Sequence, residues 1–247
     1  MFVEAKDWWE RSGPNYQELC QIPIAVLYGT GCPEESEIGL IGSVADRDVL
    51  EIGCGGAQCA IAFAKMGARV TALDFASSEI LFAKQLAAEH EVEISFLLQD
   101  MADLAPITST SQDLVFSSNA FGYVDDLDRC FAEVFRVLRP TGMFVWAMGH
   151  PLGYVVDSET LQATQSYFDT DPKVVGRETG NPFASVHRTF SDYYNLLVDA
   201  GFLIERVLEP DSRQRYDVDP WYGLWGRGEQ FHALIPSTII FKCRRPE

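Results

Sequence analysis

The chain has 247 residues, of which 47% are hydrophobic and 22% charged, a balance typical of a soluble globular protein. It carries 19 Lys and Arg residues against 36 Asp and Glu residues, a formal net charge of -17. Phosphate backbones and anionic membrane surfaces would be repelled at long range. The charge therefore disfavours a broad interface with nucleic acid or with a membrane.

The cysteines indicate the compartment. Six of them lie at irregular spacing, and several fall in segments predicted to be core elements. This usage predicts reduced, buried thiols, and no CxxC or Cys/His cluster indicates a metal site. The acidic first residues are unlike a signal peptide, and no stretch approaches the roughly 18 apolar residues of a membrane span. We therefore expect a cytoplasmic protein.

Residues 1–47 precede the first regular alternation of strands and helices, and we predict that they form a helical N-terminal cap. Trp8, Trp9 and Tyr16 are its prominent aromatic residues. Large rings in such a segment commonly pack it on the core.

A cluster of glycines, Gly53 to Gly56, separates a predicted strand at about residues 48–54 from a predicted helix at about 57–66. A further strand at about 68–74 completes a βαβ unit, whose strands are parallel neighbours because the crossover is right-handed. Glycines permit positive φ angles and let backbone N–H groups approach a ligand, and the helix directs its positive end at the same place. Open α/β sheets hold nucleotide-like ligands at such turns.

Two residues distinguish the possible ligands of this loop. Gln58 stands where the dinucleotide fingerprint has its third Gly or Ala, which weakens a dehydrogenase interpretation. Glu51 ends the strand, where it would repel a pyrophosphate but attract an ammonium group. The motif Glu51-Ile52-Gly53-Cys54-Gly55-Gly56 resembles the first motif of the class I S-adenosylmethionine-dependent methyltransferases. Their cofactor carries an amino-acid end and a cationic sulfonium.

The end of the second strand supplies the next candidate residues. Asp74 can accept hydrogen bonds from ribose hydroxyls there, and its alternative role is to cap the predicted helix at about 77–90. Phe75 beside it could cover one face of the adenine. The resemblance implies that Asp100 and Met101, after the third strand, meet the adenine amino group and ring. An isolated acid at position 100 would otherwise be a solvated loop residue.

The third and fourth strands are predicted at about 92–98 and 113–120. Ser117, Ser118 and Asn119 at the end of the fourth could bind the cofactor or a substrate, or cap the strand. By resemblance, Ser117 is the cofactor-binding candidate among them.

A predicted helix at about 127–138 stops at Arg139-Pro140-Thr141-Gly142, where proline cannot continue the helix and glycine permits the turn. A fifth strand follows at about 143–149. Residues 151–187 then form a long polar insertion without periodicity, and we expect it to shape the acceptor pocket above the strand ends.

The remaining elements are predicted as a helix at about 187–200 and two antiparallel strands at about 202–209 and 238–242. Between these strands, residues 221–226 form an aromatic loop. Either a pocket wall or a surface plug would account for it.

The resemblance implies an α/β fold, a Rossmann-like doubly wound seven-stranded sheet with the last strand antiparallel and helices on both faces. Residues 1–47 would be a cap or lid, and 48–247 the methyltransferase domain, with 151–187 as a substrate-side insertion. The cofactor would be S-adenosylmethionine. The residues expected to bind it are Tyr16, Glu51, Gly53, Gly55, Asp74, Phe75, Asp100, Met101 and Ser117.

Methyl transfer from a sulfonium is an in-line displacement, which requires aligned reactants and, for some acceptors, a base that removes a proton. His150 follows the fifth strand and His187 starts the helix after the insertion, so both are candidates for that base. The alternative for each is a structural or substrate-orienting histidine. His90 and His232 are expected to be peripheral.

Three functions remain open at this point. The favoured one is a methyltransferase acting on a small molecule, since the chain lacks the Asn/Asp-Pro-Pro-aromatic motif of amino-group and nucleic-acid methylating families. The others are a nicotinamide-dependent oxidoreductase and a non-catalytic ligand-binding protein with the same fold. We expect no nucleic-acid or membrane partner. The atom that is methylated and the oligomeric state stay open, a homodimer being one alternative.

Overall fold

A computed structural model describes residues 3–29, 31–175, 182–211 and 229–247. Its strands are β1 (Asp48–Ile52), β2 (Arg69–Asp74), β3 (Ile94–Leu98), β4 (Gln112–Ser118), β5 (Leu138–Gly149), β6 (Lys173–Val175), β7 (Phe183–Ser185), β8 (Leu203–Leu208) and β9 (Thr238–Arg244). Its helices are α1 (Val3–Cys20), α2 (Glu35–Ile38), α3 (Gln58–Lys65), α4 (Ser77–Glu89), α5 (Leu127–Val137), α6 (Phe190–Asp199) and α7 (Glu229–Leu234).

Seven strands form one sheet in the order β3-β2-β1-β4-β5-β9-β8. The pairs within β1 to β5 are parallel, whereas β9 runs antiparallel to both of its neighbours. Consecutive residues of β1 face opposite sides, with Val49 in one apolar cluster and Leu50 in the other. Helices cover both faces, since Phe63 of α3 packs in the first cluster and Phe131 of α5 in the second. The predicted architecture is confirmed.

The turn before β5 differs from the prediction. β5 begins directly after α5, and its pairing with β4 shifts between Gln112 and Leu114. The residue in the left-handed region is Thr141, with φ of +63°, and not the expected Gly142. Gly142 is required for another reason, because a Cβ there would lie 2.8 Å from the carbonyl oxygen of Arg139.

The segment 151–187 has more regular structure than its sequence indicated. It contains a 3-10 turn at Pro151–Tyr154, a bridge between Val156 and Ala163, and the antiparallel ribbon of β6 and β7. Its residues 176–181 lie outside the described residues, as does the aromatic loop 221–226. The division into a cap, a domain and an insertion stays a prediction.

The N-terminal helix α1 packs against two other parts of the fold. Helix α1 contacts α4 and also β7 of the ribbon.

All six cysteines are buried free thiols. Within the described ranges, no helix is both long enough and apolar enough to span a bilayer.

Candidate functional site

A cavity of about 320 Å³ opens at the carboxyl ends of β1, β2, β4 and β5. Its lining comes from α1, the glycine loop, the starts of α3 and α4, the turn after β4, and the segment joining α7 to β9. This edge of a parallel sheet is where α/β proteins bind ligands. The cavity therefore lies where the sequence placed the site.

The glycine loop needs its glycines for two physical reasons. Gly53 has φ of +65°, and a Cβ on it would lie 2.4 Å from the Cβ of Ala120. Gly55 has φ of +49°, and its N–H donates to Oδ2 of Asp74 at 2.9 Å. The glycine loop therefore packs against Ala120, in the turn after β4, and is hydrogen-bonded to Asp74, at the end of β2. Its glycines line the cavity.

Asp74 is a buried carboxyl held by backbone donors. Its Oδ1 accepts from the N–H of Ala76 and its Oδ2 from that of Gly55, both at 2.9 Å. Burial raises the Asp74 pKa to about 6, although these hydrogen bonds act to lower it. The predicted capping role of Asp74 is limited to one hydrogen bond, from the N–H of Ala76 just before α4. The next two N–H groups, of Ser77 and Ser78, donate to Glu10 instead.

Two further carboxyls line the cavity, the predicted Glu51 and the unpredicted Glu79. Burial raises the pKa of each to about 8, and the negative charge of Asp74 adds to both shifts. One oxygen of each, Oε2 of Glu51 and Oε1 of Glu79, is buried without a hydrogen-bond partner. Among the described residues of the lining there is no Lys or Arg. These unsatisfied acceptors fit a ligand that carries positive charge and N–H or O–H donors.

Aromatic rings form the wall between α1 and the rest of the cavity. Trp9 lies edge-on to Tyr16 and to Tyr123, with centroids 5.2 and 5.8 Å apart. Tyr123 in turn meets Phe183 of β7 at 5.4 Å. Tyr16 and Phe75, both expected at the cofactor, line the cavity with them.

Three predicted cofactor residues are absent from the lining that the described chain forms. Asp100 accepts from the N–H of Ala102 at 2.9 Å, and Met101 is buried in the core. Ser117 is fully buried, and its hydroxyl donates to the carbonyl of Ile52 at 2.8 Å. Ser117 thus joins β4 to β1, while its neighbours Ser118 and Asn119 face the cavity. Cofactor contacts of Asp100, Met101 and Ser117 stay predictions.

Comparison with known proteins identifies the fold and the family of the matched segment. Residues 50–146 match a family described as "Methyltransferase domain", and they include the glycine loop, Asp74 and the ends of β1, β2 and β4. The matched segment, residues 50–146, is a methyltransferase domain of the class I S-adenosylmethionine-dependent type. The predicted family and cofactor are confirmed. The nicotinamide interpretation is set aside, in keeping with a lining of carboxyls.

Solved structures agree with this methyltransferase assignment. An S-adenosylmethionine-dependent methyltransferase from Mesorhizobium loti is 25% identical with a TM-score of 0.66, over 85% of this chain and 96% of that one. A Listeria monocytogenes protein assigned to the same class shares the fold at 21% identity and a TM-score of 0.70, over 86% and 96% of the two chains.

Among curated relatives, a ubiquinone biosynthesis O-methyltransferase from Xanthomonas oryzae is 28% identical over 138 residues. The match covers 56% of this chain and 54% of that relative. The chain thus spans about half the length of the curated relatives it matches.

His150 has a structural environment in this protein. Its Nδ1 accepts from the N–H of Leu152 at 3.2 Å, so its Nε2 carries the proton and donates to Glu209 at 2.8 Å. Burial lowers the His150 pKa, and Glu209 acts in the opposite direction. His150 is not among the described lining residues, and both of its ring nitrogens take part in hydrogen bonds. The structure therefore does not favour the base role proposed from sequence.

His187 lies one layer behind the cavity. Its Nε2 is 2.8 Å from the carbonyl oxygen of Tyr167 and must donate to it, which leaves the buried Nδ1 without a partner. The ring of Tyr154, 5.5 Å away between centroids, lines the cavity, whereas His187 is not among its described lining residues. This position does not favour a direct base role for His187.

His232 was expected to be peripheral, and this expectation was wrong. It is buried in α7 and lines the cavity together with Ser237 and Thr238. Its short helix has no amphipathic repeat that would mark it in the sequence. His232 reaches this edge of the sheet because the chain returns there before entering β9, and no local sequence pattern indicates that return.

Arg188 was also missed from sequence. It is buried, and its guanidinium donates to the carbonyls of Phe121, Val124 and Asp125. It therefore holds the turn that carries Tyr123 into the cavity wall.

Proposed function

We propose that this chain transfers the methyl group of S-adenosylmethionine to a small molecule bound in the same cavity. The observation that carries the proposal is that a single cavity is lined both by the buried carboxyls near the glycine loop and by His232. The same lining provides acceptors for a cationic cofactor and aromatic and hydrogen-bonding side chains for a methyl acceptor. The Xanthomonas oryzae relative, an O-methyltransferase of ubiquinone biosynthesis, supports a small-molecule acceptor.

Glu51, Gly53, Gly55, Asp74 and Phe75 would hold the cofactor, because they surround the glycine-loop end of the cavity. When bound, S-adenosylmethionine supplies a methyl group on a cationic sulfur, and transfer leaves S-adenosylhomocysteine. The buried carboxyls balance positive charge there, and the aromatic wall excludes water from the reacting centre. Tyr16 on α1 would cover the amino-acid end.

The acceptor side favours an uncharged molecule with a flat apolar part. Tyr123, Tyr154, Phe183 and Met148 line the cavity with apolar or aromatic surface. The absence of Lys and Arg from the described lining disfavours phosphate or carboxylate groups on the acceptor. The net charge of -17 likewise favours a small molecule over nucleic acid.

For an acceptor that must lose a proton, we propose His232 as the base. It is the imidazole that lines the cavity in the described part of the chain, and histidine is the side chain that most often acts as a general base. Asn119 and Tyr154 lie in the same lining, where they can orient an acceptor hydroxyl or amine. A cytoplasmic location also stays a proposal, supported by six buried thiols without a disulfide.

The test is a transfer assay with methyl-labelled S-adenosylmethionine and a panel of phenols, hydroxyquinones, amines and carboxylates. We expect labelled product and S-adenosylhomocysteine in equal amounts with a member of the neutral aromatic classes. An Asp74→Asn variant serves as the matched negative control. Cofactor binding without transfer to any class would favour the non-catalytic alternative instead.

A further inference from the structure

A buried hydrogen-bonded chain links the N-terminal helix to both helices that flank the glycine loop. Nε2 of Gln17, on α1, donates to Oε2 of Glu79, in the first turn of α4, at 2.8 Å. Oε1 of the same Gln17 accepts from Nε2 of Gln58, the first residue of α3, at 2.7 Å. A Cβ on Gly56 would lie 2.6 Å from that Oε1, so the glutamine closes directly over the loop.

Among these three hydrogen-bonded side chains, Glu79 is the unusual one. It is 1% exposed, lines the cavity, and has one oxygen, Oε1, without a hydrogen-bond partner. Its carboxyl occupies the space beside Gly13 of α1, where a Cβ would lie 2.2 Å from Oε1. An acid in this position is expensive to ionise unless positive charge arrives nearby.

The titratable groups facing Glu79 are acidic or neutral. Asp74 approaches from β2, Glu10 from α1 and Cys54 from the glycine loop. Burial, and then Asp74, raises the Glu79 pKa to about 8, while the Gln17 hydrogen bond lowers it. In the free protein at pH 7 the carboxyl is therefore mostly neutral.

We propose that Glu79 is a cofactor-positioning residue that responds to the positive charge of the sulfonium and, through Gln17, holds α1 closed over the glycine loop. The carboxyl releases its proton to solvent when the cationic cofactor binds. A hydrogen bond to an ionised carboxylate is about twice as strong as one to a neutral acceptor, so Gln17 is then held more firmly. Methyl transfer removes the sulfonium charge, which weakens this hold and favours opening for product release.

This inference rests on the proposed function, because it requires S-adenosylmethionine in the cavity. The experiment is calorimetry of S-adenosylmethionine and S-adenosylhomocysteine binding to the full chain, in buffers of different ionisation enthalpy. We expect Glu79→Gln to weaken S-adenosylmethionine binding about tenfold more than S-adenosylhomocysteine binding. Proton release on binding at pH 7 should fall in this variant, by up to about one proton. Glu89→Gln, an exposed charge loss on the same helix, should change neither quantity.

Hydrogen exchange of α1 provides the second readout. In the wild type, residues 3–20 should be better protected with S-adenosylmethionine than with S-adenosylhomocysteine. Gln17→Ala, which keeps Glu79 but removes its link to α1, should abolish that difference. Equal weakening of both ligands by Glu79→Gln, or unchanged proton release, would overturn the inference while leaving the proposed function intact. Failure of the wild type to bind S-adenosylmethionine would instead overturn the proposed function.

Discussion

Glu10 caps a helix to which it does not belong. Its carboxylate, on α1, accepts hydrogen bonds from the backbone N–H of Ser77 at 2.8 Å and of Ser78 at 3.1 Å, at the start of α4. The hydroxyl of Ser77 donates to it as well, at 2.9 Å. Because α4 begins beside Asp74, this contact fixes α1 next to the cavity.

Replacing Glu10 with Ala should lower the free energy of unfolding by about 1 kcal/mol, since two helix N–H groups lose their acceptor. Urea unfolding measures the loss. Glu18→Ala, at an exposed position of the same helix, is the matched control and should leave the midpoint unchanged.

The same contact should depend on pH. Burial raises the Glu10 pKa, but hydrogen bonds from Ser77 and Ser78 and the charge of Lys6 outweigh it, so the net shift is downward. A lowered pKa means stability that is present above the unfolded value and lost as pH falls through the folded one. The difference between wild type and Glu10→Ala should therefore be full at pH 7 and shrink below about pH 4. A difference that stays constant down to pH 3 would contradict this.

Much of the fold was predictable because its signals are local. The strands β1, β2 and β3, of 5 or 6 residues, alternate with the helices α3 and α4, and Gly201, with φ of +95°, follows the end of α6. The capping box of Thr189 and Asp192 likewise lies within a few residues. The turn before β5 was harder to predict, because Gly142 is fixed by contact with Arg139 across the bulge and not by its own φ.

The two conformational demands on Gly53 can be separated. Gly53→Ala should reduce stability by about 2 to 4 kcal/mol, combining a strained positive φ with a collision against Ala120. Gly39→Ala is the matched control, because Gly39 has φ of +64° and no atom within 4 Å of an added Cβ. It should lose only about 1 kcal/mol. Thermal unfolding of the two variants gives the comparison, and equal losses would show that the Ala120 contact is unimportant.

Glu51 should make the free protein less stable in alkali. Burial, with a contribution from Asp74, raises its pKa to about 8 from an ordinary 4.5. Because the pKa of Glu51 is higher in the folded protein than in the unfolded one, its contribution to stability is fully present below the unfolded pKa. That contribution is lost as pH rises through the folded pKa. Glu51→Gln should remove part of this loss, so at pH 9 the ligand-free variant should be more stable than wild type, by on the order of 2 kcal/mol.

Melting curves from pH 5 to 9, with Glu89→Gln as the exposed control, measure this effect. The same Glu51→Gln variant should bind S-adenosylmethionine more weakly, because it lacks the charge. A variant that is destabilised at pH 9 would show that the ionised carboxylate is well accommodated in the free protein.

His232 is the proposed base, and its replacement should affect turnover rather than cofactor binding. With an acceptor that must lose a proton, His232→Asn should lower kcat by about 10² to 10⁴ and flatten the acidic limb of the pH profile. Calorimetry should show nearly unchanged S-adenosylmethionine affinity. His90→Asn, on the surface beside Lys65, provides a control that should keep wild-type kinetics. A normal acidic limb in His232→Asn would exclude the base role.

The site was only partly predictable, for a physical reason. Glu51, Gly53, Gly55 and Asp74 adjoin strand ends, so the topology of one βαβ unit brings them together. Glu79, Gln17 and His232 reach the cavity through packing between elements that are distant in the chain. Glu79 had the appearance of an ordinary first-turn acid. Its burial depends on the approach of Gly13, which no local pattern shows.

Calorimetric titration with S-adenosylmethionine tests the central claim most directly, comparing the wild type with Asp74→Asn. We expect wild-type affinity on the order of micromolar and at least a tenfold weakening in the variant, whose amide cannot match the carboxylate toward ribose hydroxyls and the N–H of Gly55. Circular dichroism should confirm that both proteins are folded. A folded wild type that takes up no S-adenosylmethionine, or an Asp74→Asn variant that binds it equally well, would contradict the account.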